Sequence, residues 1–426
     1  MRSGLLILFL CLLLSGSLMA AGFGLGEFGA RATGMGNAVT AQAYDASTLF
    51  YNPAGLGFLE GTNLYGGVTL IDPSANFVGA APYLDNTVHQ SKKQYFPPLG
   101  LYVAHRFSEK FAAGIGQTNP FGLGLAWEDD FPGRAISKDV TLQSFYITPA
   151  VAYRVNPNFS VSFGLDLVYT KLKLIRNVIM FNTPGIPGTG VEVGEAELEG
   201  GSGIGVGFTA GLMYRTEKLG LGVMYRHTVK NKFDDGEANF TVYSGLDPKV
   251  SAVANGLLKD QGVSTEIEFP NYAVAGIYYK IFPNLGLEVD AAWYGWEVFE
   301  TLDLTFEDET LNQSIPENYE NSWQFRVGVH YDFYENFSFR LGYIYDETPQ
   351  PIESVSPLLP DDTRNDYTIG FGYKHGNFQF DAGYMFADIG ERTTVENGVG
   401  KNDNGFNGTY NSNAHLFFFS IGYTIK

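Results

Sequence analysis

The stretch FSVSFGLDLVY, from Phe159 to Tyr169, changes character at every second position. Large apolar side chains occupy one face of it, and most of the other face is small or polar: Phe159, Val161, Phe163, Leu165, Leu167 and Tyr169 against Ser160, Ser162, Gly164, Asp166 and Val168. A period of two is the repeat of a β-strand. A tilted strand needs roughly nine to eleven residues to cross a membrane, whereas strands of soluble proteins average about five or six. The stretch therefore predicts a membrane-spanning strand.

The same alternation recurs along the chain, for example from Trp323, Phe337, Phe378 and Phe417. Fourteen such segments are predicted, at 63–80, 93–106, 110–118, 140–154, 159–174, 202–215, 219–232, 264–280, 285–301, 321–333, 336–346, 366–374, 378–387 and 414–425. Six short links and seven long ones join them alternately. An even strand number, short periplasmic turns and long extracellular loops are typical of outer-membrane barrels.

Two local features qualify this pattern. Pro97-Pro98 interrupts the second segment, where proline is excluded from a fully paired ladder. Aromatic residues gather near segment ends, as at Trp293 with Trp296, which predicts that they belong to the interfacial girdles of a barrel.

The composition excludes several classes of protein. The chain has 426 residues, 52 of them glycine, 34 phenylalanine and 26 tyrosine, and a net charge of −19. Because phosphate binding needs a basic face, nucleic acid is not expected as a partner. Beyond the first 20 residues no apolar stretch is long enough for a membrane-spanning helix, so a soluble β-protein and a β-barrel are the alternatives. Strand length favours the barrel.

The first 60 residues lack sustained alternation. Arg2 precedes the apolar run Leu5 to Leu14 and a small-residue stretch ending at Ala21, which predicts a signal peptide at residues 1–20. Residues 21–60 are rich in glycine and small residues and are predicted to form a hatch of short helices and turns in the lumen of the barrel, residues 61–426. Asn52-Pro53 indicates a helix N-cap followed by proline at the first helical position, and a simple turn is the alternative.

Several motifs together resemble one known family. The chain carries Ala21-Gly22-Phe23 with Glu27-Phe28, then Asn52-Pro53-Ala54, Pro120-Phe121-Gly122, Trp127 and Gly133-Arg134, and later Arg340, Gly342-Tyr343, Tyr345-Asp346, Pro349, Pro351, Pro360-Asp361 and Arg364. Their order and spacing resemble the FadL family of outer-membrane transporters for long-chain fatty acids and other hydrophobic compounds, over the whole chain after the signal peptide.

The resemblance implies an all-β fold, a 14-stranded antiparallel transmembrane β-barrel with an N-terminal hatch, in the outer membrane of a Gram-negative bacterium. It implies that Phe23 reaches into a substrate pocket and that the hatch motif is Asn52, Pro53 and Ala54. Substrate captured by the extracellular loops would leave sideways through a kink in the third strand, predicted at Gly114, Gly116, Asn119 and Pro120. Alternatively, these glycines only reduce the side-chain bulk of the barrel wall and form no kink.

The resemblance predicts passive transport of a hydrophobic molecule, with long-chain fatty acids first and aromatic or aliphatic hydrocarbons second. A different class of function is an accessory or shuttle protein of a secretion system. A transporter requires a continuous apolar cavity from the loops past Phe23 to the kink, and this feature discriminates between the two classes.

A fatty acid would require a cation near an apolar groove. Arg176, Arg326 and Arg340 are predicted to face the lumen and are the candidate partners of a carboxylate. Alternatively, they pair with acids of the lumen, namely Asp166, Glu288, Asp290 and Asp381.

A loop helix after Asp247-Pro248 is predicted to carry an apolar face with Val250, Val253, Ala254, Leu257 and Leu258. This face and residues 178–181 would form a landing groove for substrate, or the two loops would simply pack on each other.

No enzymatic, metal or cofactor site is predicted, because the six histidines show no ligand spacing and no nucleophile elbow is present. His227 and His415 fall on the lipid-facing parity without a serine and an acid beside them. The acidic loops Glu307-Asp308-Glu309 and Asp361-Asp362 are predicted to be solvated, with divalent cations bridging them to lipopolysaccharide. Outer-membrane lipids are the other expected partners, and the protein is expected to be a monomer.

Overall fold

The computed structural model of the protein describes residues 22–81, 84–180 and 190–426. The predicted signal peptide lies outside these residues. The strands, in chain order, are β1 Thr62–Gly79, β2 Val88–Gln90, β3 Leu99–Arg106, β4 Phe111–Thr118, β5 Gly122–Ala126, β6 Asp139–Asn156, β7 Phe159–Met180, β8 Val191–Gly201, β9 Gly205–Arg215, β10 Leu219–Arg226, β11 Val229–Val242, β12 Gln261–Phe269, β13 Asn271–Phe282, β14 Leu285–Gly295, β15 Thr301–Phe306, β16 Gln313–Pro316, β17 Ser322–Tyr334, β18 Phe337–Asp346, β19 Arg364–His375, β20 Phe378–Thr393, β21 Val395–Glu396, β22 Val399–Gly400 and β23 Gly408–Ile425.

Short helices complete the described chain. They are the α-helices α1 Ala30–Thr33, α2 Thr48–Tyr51 and α3 Pro248–Leu257, and the 3-10 helices Pro53–Phe58, Trp296–Val298 and Glu309–Leu311. None of the helices in the described ranges has the length and apolar character required to cross a bilayer.

Fourteen of the strands close into one antiparallel barrel, in the ring order β1, β3, β4, β6, β7, β9, β10, β13, β14, β17, β18, β19, β20 and β23. The first and last strands pair from Thr62 with Ile425 to Gly79 with Gly408 and close the ring. Closure removes every strand edge, which a sheet in hydrocarbon requires. The predicted 14-stranded barrel is confirmed.

The faces of the wall follow the predicted alternation. Phe163, Leu165 and Leu167 are exposed on the outside of β7, whereas Ser160 and Asp166 are buried on the inside. An apolar outer face is typical of membrane-spanning barrels. The polar inner face is covered by the N-terminal segment, which we define as residues 22–60. The ion pairs of the inner face include that of Asp166 with Arg226, at 3.3 Å between Oδ2 and Nε.

Prolines account for two differences in strand boundaries. In a third, which involves no proline, the predicted segment 219–232 divides at His227 and Thr228 into β10, in the barrel ring, and β11, outside it. The second barrel strand begins at Leu99, after Pro97-Pro98, rather than at 93. The predicted segment 264–280 is two strands, because Pro270 separates β12 from β13. Only β13 belongs to the barrel ring. β12 pairs with β11, which also pairs with β8, so these three strands extend the outer loops into a sheet beyond the ring.

The N-terminal segment fills the bore and hydrogen-bonds to the inner wall. The backbone nitrogen and hydroxyl of Thr40 donate to Asp290 Oδ2 at 3.2 and 2.6 Å, and the backbone nitrogen of Ala41 donates to Glu288 Oε1 at 2.6 Å. These acids of β14 therefore hold the segment. Their location on the lumen face agrees with their predicted parity.

The Asn-Pro-Ala motif is a second anchor of the N-terminal segment. Asn52 Oδ1 accepts a hydrogen bond from the backbone nitrogen of Ala54 at 3.2 Å, and Pro53 begins the 3-10 helix, so the predicted cap is confirmed. The Asn52 amide also donates to the carbonyl of Thr40 at 2.9 Å and to that of Leu212 at 3.0 Å. One side chain thus caps a helix, crosslinks the segment and joins it to β9.

Candidate functional site

Phe23 inserts its ring into an aromatic cage above the N-terminal segment. The ring centroids of Trp296 and Phe299 lie 4.8 and 5.4 Å away, and those of Phe121 and Phe269 both lie 6.2 Å away, all in edge-on arrangements. Edge-to-face packing is favourable at these separations. The cage fixes Phe23 at the base of the outer loops.

An apolar cavity of about 60 Å³ adjoins this cage. Strands β5, β6, β7, β8, β12 and β15 and the outer loops contribute its walls: Phe23, Leu123, Val140, Leu142, Leu172, Leu174, Leu198, Ile267, Phe299, Leu302, Leu304, Glu317, Tyr319, Leu358 and Leu359. A single water needs about 10–15 Å³, so the space admits several non-hydrogen atoms. Among the side chains that line it, only Glu317 and Tyr319 carry polar groups. We call it the Phe23 cavity.

The start of the N-terminal segment is attached to the barrel wall beside this cavity. The backbone nitrogen of Leu25 donates to the carbonyl of Pro120 at 2.8 Å, and that of Gly122 donates to the carbonyl of Phe23 at 3.0 Å. Gly24 and Phe121 thus form an antiparallel bridge. The position of Phe23 is therefore coupled to the chain that follows β4.

The wall is interrupted at the same height. Pairing between β3 and β4 stops at Leu101 with Gln117, and after Pro120 the chain resumes as β5, which pairs with β6. The Asn119 side chain bridges the gap: its Oδ1 accepts from the backbone nitrogen of Leu99 at 3.1 Å, and its Nδ2 donates to the carbonyl of Ser144 at 2.7 Å. The Asn119 side chain therefore replaces backbone hydrogen bonds that are missing between the strands at this point.

A second cavity, of about 380 Å³, occupies this interruption, and we call it the wall cavity. It extends from buried Leu142 and Phe121 to exposed Leu99 and Gln143, so it passes through the thickness of the wall. Phe96 lies over Gly124, where an added Cβ atom would come within 2.0 Å of the ring. The two cavities are separate and share the lining side chains Leu123 and Leu142. Phe121 lines the wall cavity and packs against Phe23, with ring centroids 6.2 Å apart.

The predicted kink therefore divides into two parts. Gly114 and Gly116 lie in unbroken pairing with β3 and β6. A Cβ atom on Gly114 would lie 2.9 Å from Leu49 of the N-terminal segment, so this glycine makes room for the segment. The interruption begins at Asn119 and Pro120. Gly114 and Gly116 lie outside the interruption, and their part in a kink stays a prediction.

The three predicted arginines do not line either apolar cavity. Arg340 pairs with Asp381, at 2.7 Å between Nη1 and Oδ1, and is buried, which is the predicted alternative. Arg326 is buried against Gln324 and donates to the carbonyl of Asn37 at 3.4 Å.

Arg176 is half-buried, and its Nη2 donates to Gln313 Oε1 at 2.7 Å. Carboxylate binding by any of the three arginines stays a prediction without geometric support.

The predicted loop helix is α3, capped by Asp247, whose Oδ1 accepts from the backbone nitrogen of Lys249 at 2.8 Å. Its apolar face packs onto the preceding loop, because Val250, Ala254 and Leu258 are buried with Val193, against Val178 and Met180. Val250 and Leu258 are therefore covered. Val253 and Leu257 retain exposed surface, and their contact with substrate stays a prediction, while Phe181 lies outside the described residues.

Asp361 was predicted to lie on a solvated acidic loop, and this prediction was wrong. Its carboxylate is buried and accepts hydrogen bonds from the backbone nitrogen of Gly22, at 2.9 Å, and from the Thr348 hydroxyl. Burial raises the pKa of Asp361 to about 7, against the hydrogen bonds from Thr348 and Gly22, which lower it. This loop residue thus ties the outer loops to the start of the N-terminal segment.

Two other residues of the family motifs, Trp127 and Arg134, connect the outer loops above the site. The Trp127 ring stacks on Phe131 at 4.2 Å, and its Nε1 donates to the carbonyl of Pro357 at 3.0 Å. Arg134 donates through Nε and Nη2 to the two carboxylate oxygens of Glu192 at 2.8 and 3.1 Å. These contacts join loops that are distant in sequence.

Two further predictions concern metals and aromatic residues. No group of three or more potential metal ligands occurs in the described ranges. His227 and His415 are exposed and contact Tyr225 and Tyr384. Trp296 is not in a girdle, because it is buried beside Phe23.

Sequence reasoning also missed Phe269, Phe299, Glu317 and Tyr319. The signal available in the sequence was the group of aromatic residues that follows β14, which includes Phe299 and Tyr319.

The fold and the site together define a class of protein: a membrane-spanning β-barrel with a filled bore, an apolar cavity under its outer loops and an interruption in its wall. A model of the family described as outer membrane protein transport protein (OMPP1/FadL/TodX) matches residues 11–425. The chain belongs to this family, and it is an outer-membrane protein.

Individual relatives agree with this assignment. The long-chain fatty acid transport protein of Escherichia coli O6:H1 is 24% identical over 389 residues, which cover 85% of each chain. The crystal structure of a Pseudomonas aeruginosa FadL homologue has a TM-score of 0.83 at 22% identity, with 95% of this chain and 100% of that one covered. The Pseudomonas putida toluene transporter TodX has a TM-score of 0.72 at 16% identity, with 94% and 99% covered. The two structures show the shared fold.

Proposed function

We propose that the protein mediates passive uptake of hydrophobic small molecules across the outer membrane. The single observation that supports this most strongly is the pair of apolar cavities that meet at Leu123 and Leu142, one beneath the outer loops and one through the wall. A water-filled route is not needed for such cargo, and the filled bore argues against a general porin. Catalysis is not part of the proposal, since the relatives are transport proteins.

In the proposed path, the outer loops capture the molecule, the Phe23 cavity binds it, and the wall cavity releases it sideways into the membrane. Movement of Leu123, Leu142 and Phe121 would connect the two cavities. The hydrogen bonds of Phe23 and Leu25 to Gly122 and Pro120 give a physical link between occupancy of the first cavity and the shape of the second. In this scheme residues 22–60 act as the hatch.

Long-chain fatty acids are the first candidate cargo, because several relatives carry that function in their names. Uncharged hydrocarbons are the second, and a specific observation favours them: no basic side chain lines either apolar cavity. The secretion-accessory alternative has one observation in its favour: the apolar path is not continuous in this structure, because side chains shared by the two cavities close it.

Uptake of radiolabelled oleate and toluene by an outer-membrane transporter-deficient host tests the proposal. We expect Phe23→Ala and deletion of residues 22–28 to reduce uptake at limiting substrate concentration several-fold, because both remove the cavity wall. Phe107→Ala is the matched control, since Phe107 is exposed on a short turn. Unchanged uptake in both altered proteins, with normal amounts in the membrane, would contradict the proposed path.

A further inference from the structure

A polar cavity of about 520 Å³ lies at the short-turn end of the barrel, opposite the cavity beneath the outer loops. Residues of three short turns line it, among them Glu217, Asn284 and Asn336, together with Arg31 and Tyr44 of the N-terminal segment. The short turns of outer-membrane barrels face the periplasm. A single water needs about 10–15 Å³, so this space admits a polar molecule with water around it. We call it the periplasmic cavity.

Arg31 lines the periplasmic cavity without an anionic partner. Only 4% of the residue is exposed, and its Nε and Nη2 atoms are buried without a hydrogen-bond partner. Its side chain forms no ion pair with any residue that the structure describes. Asp45, an acid of the same segment, accepts hydrogen bonds from Ser47 and Gln379 instead. Because arginine stays protonated in proteins, burial of its charge without an acceptor is strongly unfavourable. The guanidinium therefore requires an acceptor from outside the described chain.

Neighbouring groups hold the Arg31 side chain in place. Its Cζ atom lies 3.7 Å from the centroid of the Tyr44 ring, and the Arg31 backbone nitrogen donates to the Tyr65 hydroxyl at 3.4 Å. An aromatic ring attracts the face of a guanidinium but does not accept from the N–H groups in its plane. The stacking therefore positions the cation and leaves its hydrogen-bonding capacity unused.

Three further cations line the cavity from the barrel wall. Lys280 of β13 and Lys374 of β19 form no ion pair with any residue in the described ranges. Arg215 of β9 donates to the carbonyl of Ala43 at 3.0 Å and likewise has no acidic partner in the described part of the chain. Four basic side chains, from the N-terminal segment and from three strands, thus surround one space.

The acids of this cavity do not neutralise Arg31. Three acids line it, and all of them are exposed: Glu217, Asp332 and Glu335. Asp332 already has a partner. His330 accepts from Arg340 Nε at Nδ1, at 3.2 Å, so its Nε2 carries the proton and donates to Asp332 Oδ1 at 2.9 Å. Basic groups therefore outnumber acidic ones in the cavity, although the net charge of the whole chain is −19.

We infer that the periplasmic cavity binds a small dianionic oxyanion, of the phosphate or dicarboxylate class, between Arg31 and the lysines Lys280 and Lys374. A planar guanidinium matches the geometry of oxyanions, and the two ammonium groups balance the second charge. The bound anion would link the N-terminal segment to β13 and β19. The inference does not depend on the proposed uptake, because this cavity and the Phe23 cavity lie at opposite ends of the barrel.

Isothermal titration calorimetry on the whole protein in an uncharged detergent tests the inference. The probes are inorganic phosphate and succinate, which are both dianions at about pH 8, with sodium chloride held constant. The variants are Arg31→Gln, in the N-terminal segment, and Lys280→Gln, on the barrel wall. Lys110→Gln is the matched control, because Lys110 is an exposed lysine of a short turn at the same end and does not line the cavity.

We expect saturable binding of at least one of the two probes to the wild-type protein. Arg31→Gln should weaken it about tenfold or more, as loss of a hydrogen bond from a charged donor gives. Lys280→Gln should weaken it severalfold, because charges in a partly enclosed site are little screened by salt. Lys110→Gln should leave it unchanged. Heat-modifiable electrophoretic migration checks that each barrel is folded, and Lys280→Gln keeps the test valid if Arg31→Gln disturbs the N-terminal segment.

Three results would overturn the inference. If neither phosphate nor succinate bound, water alone would be the partner of Arg31. If binding were as strong in both Arg31→Gln and Lys280→Gln as in the wild type, the anion would occupy another place. If Lys110→Gln weakened binding as much as Lys280→Gln did, the heat would report anions collecting on surface lysines. Weakening by the two cavity variants and not by the control would support it.

Discussion

Asn52→Ala should loosen the N-terminal segment without unfolding the barrel. The Asn52 side chain satisfies the carbonyls of Thr40 and Leu212 and the backbone nitrogen of Ala54, at 2.9, 3.0 and 3.2 Å. Alanine leaves these groups without the partner that they have in the wild type. A buried group left unsatisfied costs about 1–3 kcal/mol.

Two of the three hydrogen bonds are fully buried and the third is partly buried, so the total cost is on the order of 3 kcal/mol. A difference of about 1.4 kcal/mol is tenfold in an equilibrium constant, so the open form of the segment should become roughly 100-fold more populated. The fourteen-stranded ladder is untouched, and far-ultraviolet circular dichroism should therefore be unchanged.

Hydrogen–deuterium exchange with mass spectrometry measures this opening directly. Peptides covering residues 30–58 should exchange faster in Asn52→Ala, while peptides from the barrel strands should not. Asn284→Ala is the control, because Asn284 makes a similar bond, from Nδ2 to the carbonyl of Asp332 at 3.1 Å, on an exposed turn. Wild-type protection of residues 30–58 in Asn52→Ala would refute the proposed anchoring.

Three further perturbations test other parts of the account. Leu142→Trp fills the junction of the two cavities and should reduce uptake about tenfold or more, while Leu341→Trp, on the exposed outer face, should leave uptake unchanged. Arg340→Leu leaves the buried carboxylate of Asp381 without its partner and should destabilise the protein by about 3–5 kcal/mol. In thermal melts, the double variant Arg340→Leu with Asp381→Leu should recover most of that loss. Burial raises the pKa of Glu317 to about 8 from 4.5, so between these values the folded state holds more protons than the unfolded state, and stability falls as pH rises. Asp361, whose pKa burial raises to about 7, contributes a fall of the same sign, so Glu317→Gln should reduce the fall in melting temperature between about pH 5 and 8 without abolishing it. An unchanged slope would contradict the burial of a protonated carboxyl.

The barrel could be predicted from the sequence because the membrane enforces a strict rule. Each residue of β7 must face either lipid or lumen, so Phe163 and Asp166 reveal their faces by parity alone. The Asn52-Pro53 cap was also predictable, since its chemistry is local. Proline set the strand boundaries where parity could not, as at Pro98 and Pro270.

The site was less predictable because its wall is assembled from distant parts of the chain. Phe23, Leu142, Phe299 and Tyr319 meet through packing of the outer loops, and no periodicity relates them. Gly114 suggested a kink, but its lack of a side chain serves close packing against Leu49.

Charge partners posed the same difficulty. Parity correctly placed Arg340 in the lumen, but it could not show that Asp381, 41 residues later, already neutralises it. Asp361 was equally misleading, because the chain segment that buries it is the start of the N-terminal segment. Local sequence gives the identity of a charge and not its surroundings.

Anomalous diffraction from crystals soaked with ω-bromodecanol tests the central claim most directly, since bromine marks the position of the bound molecule. The account predicts a bromine peak within the Phe23 cavity or the wall cavity. Bromine found only on the lipid-facing surface, with no bromine in either cavity, would contradict it.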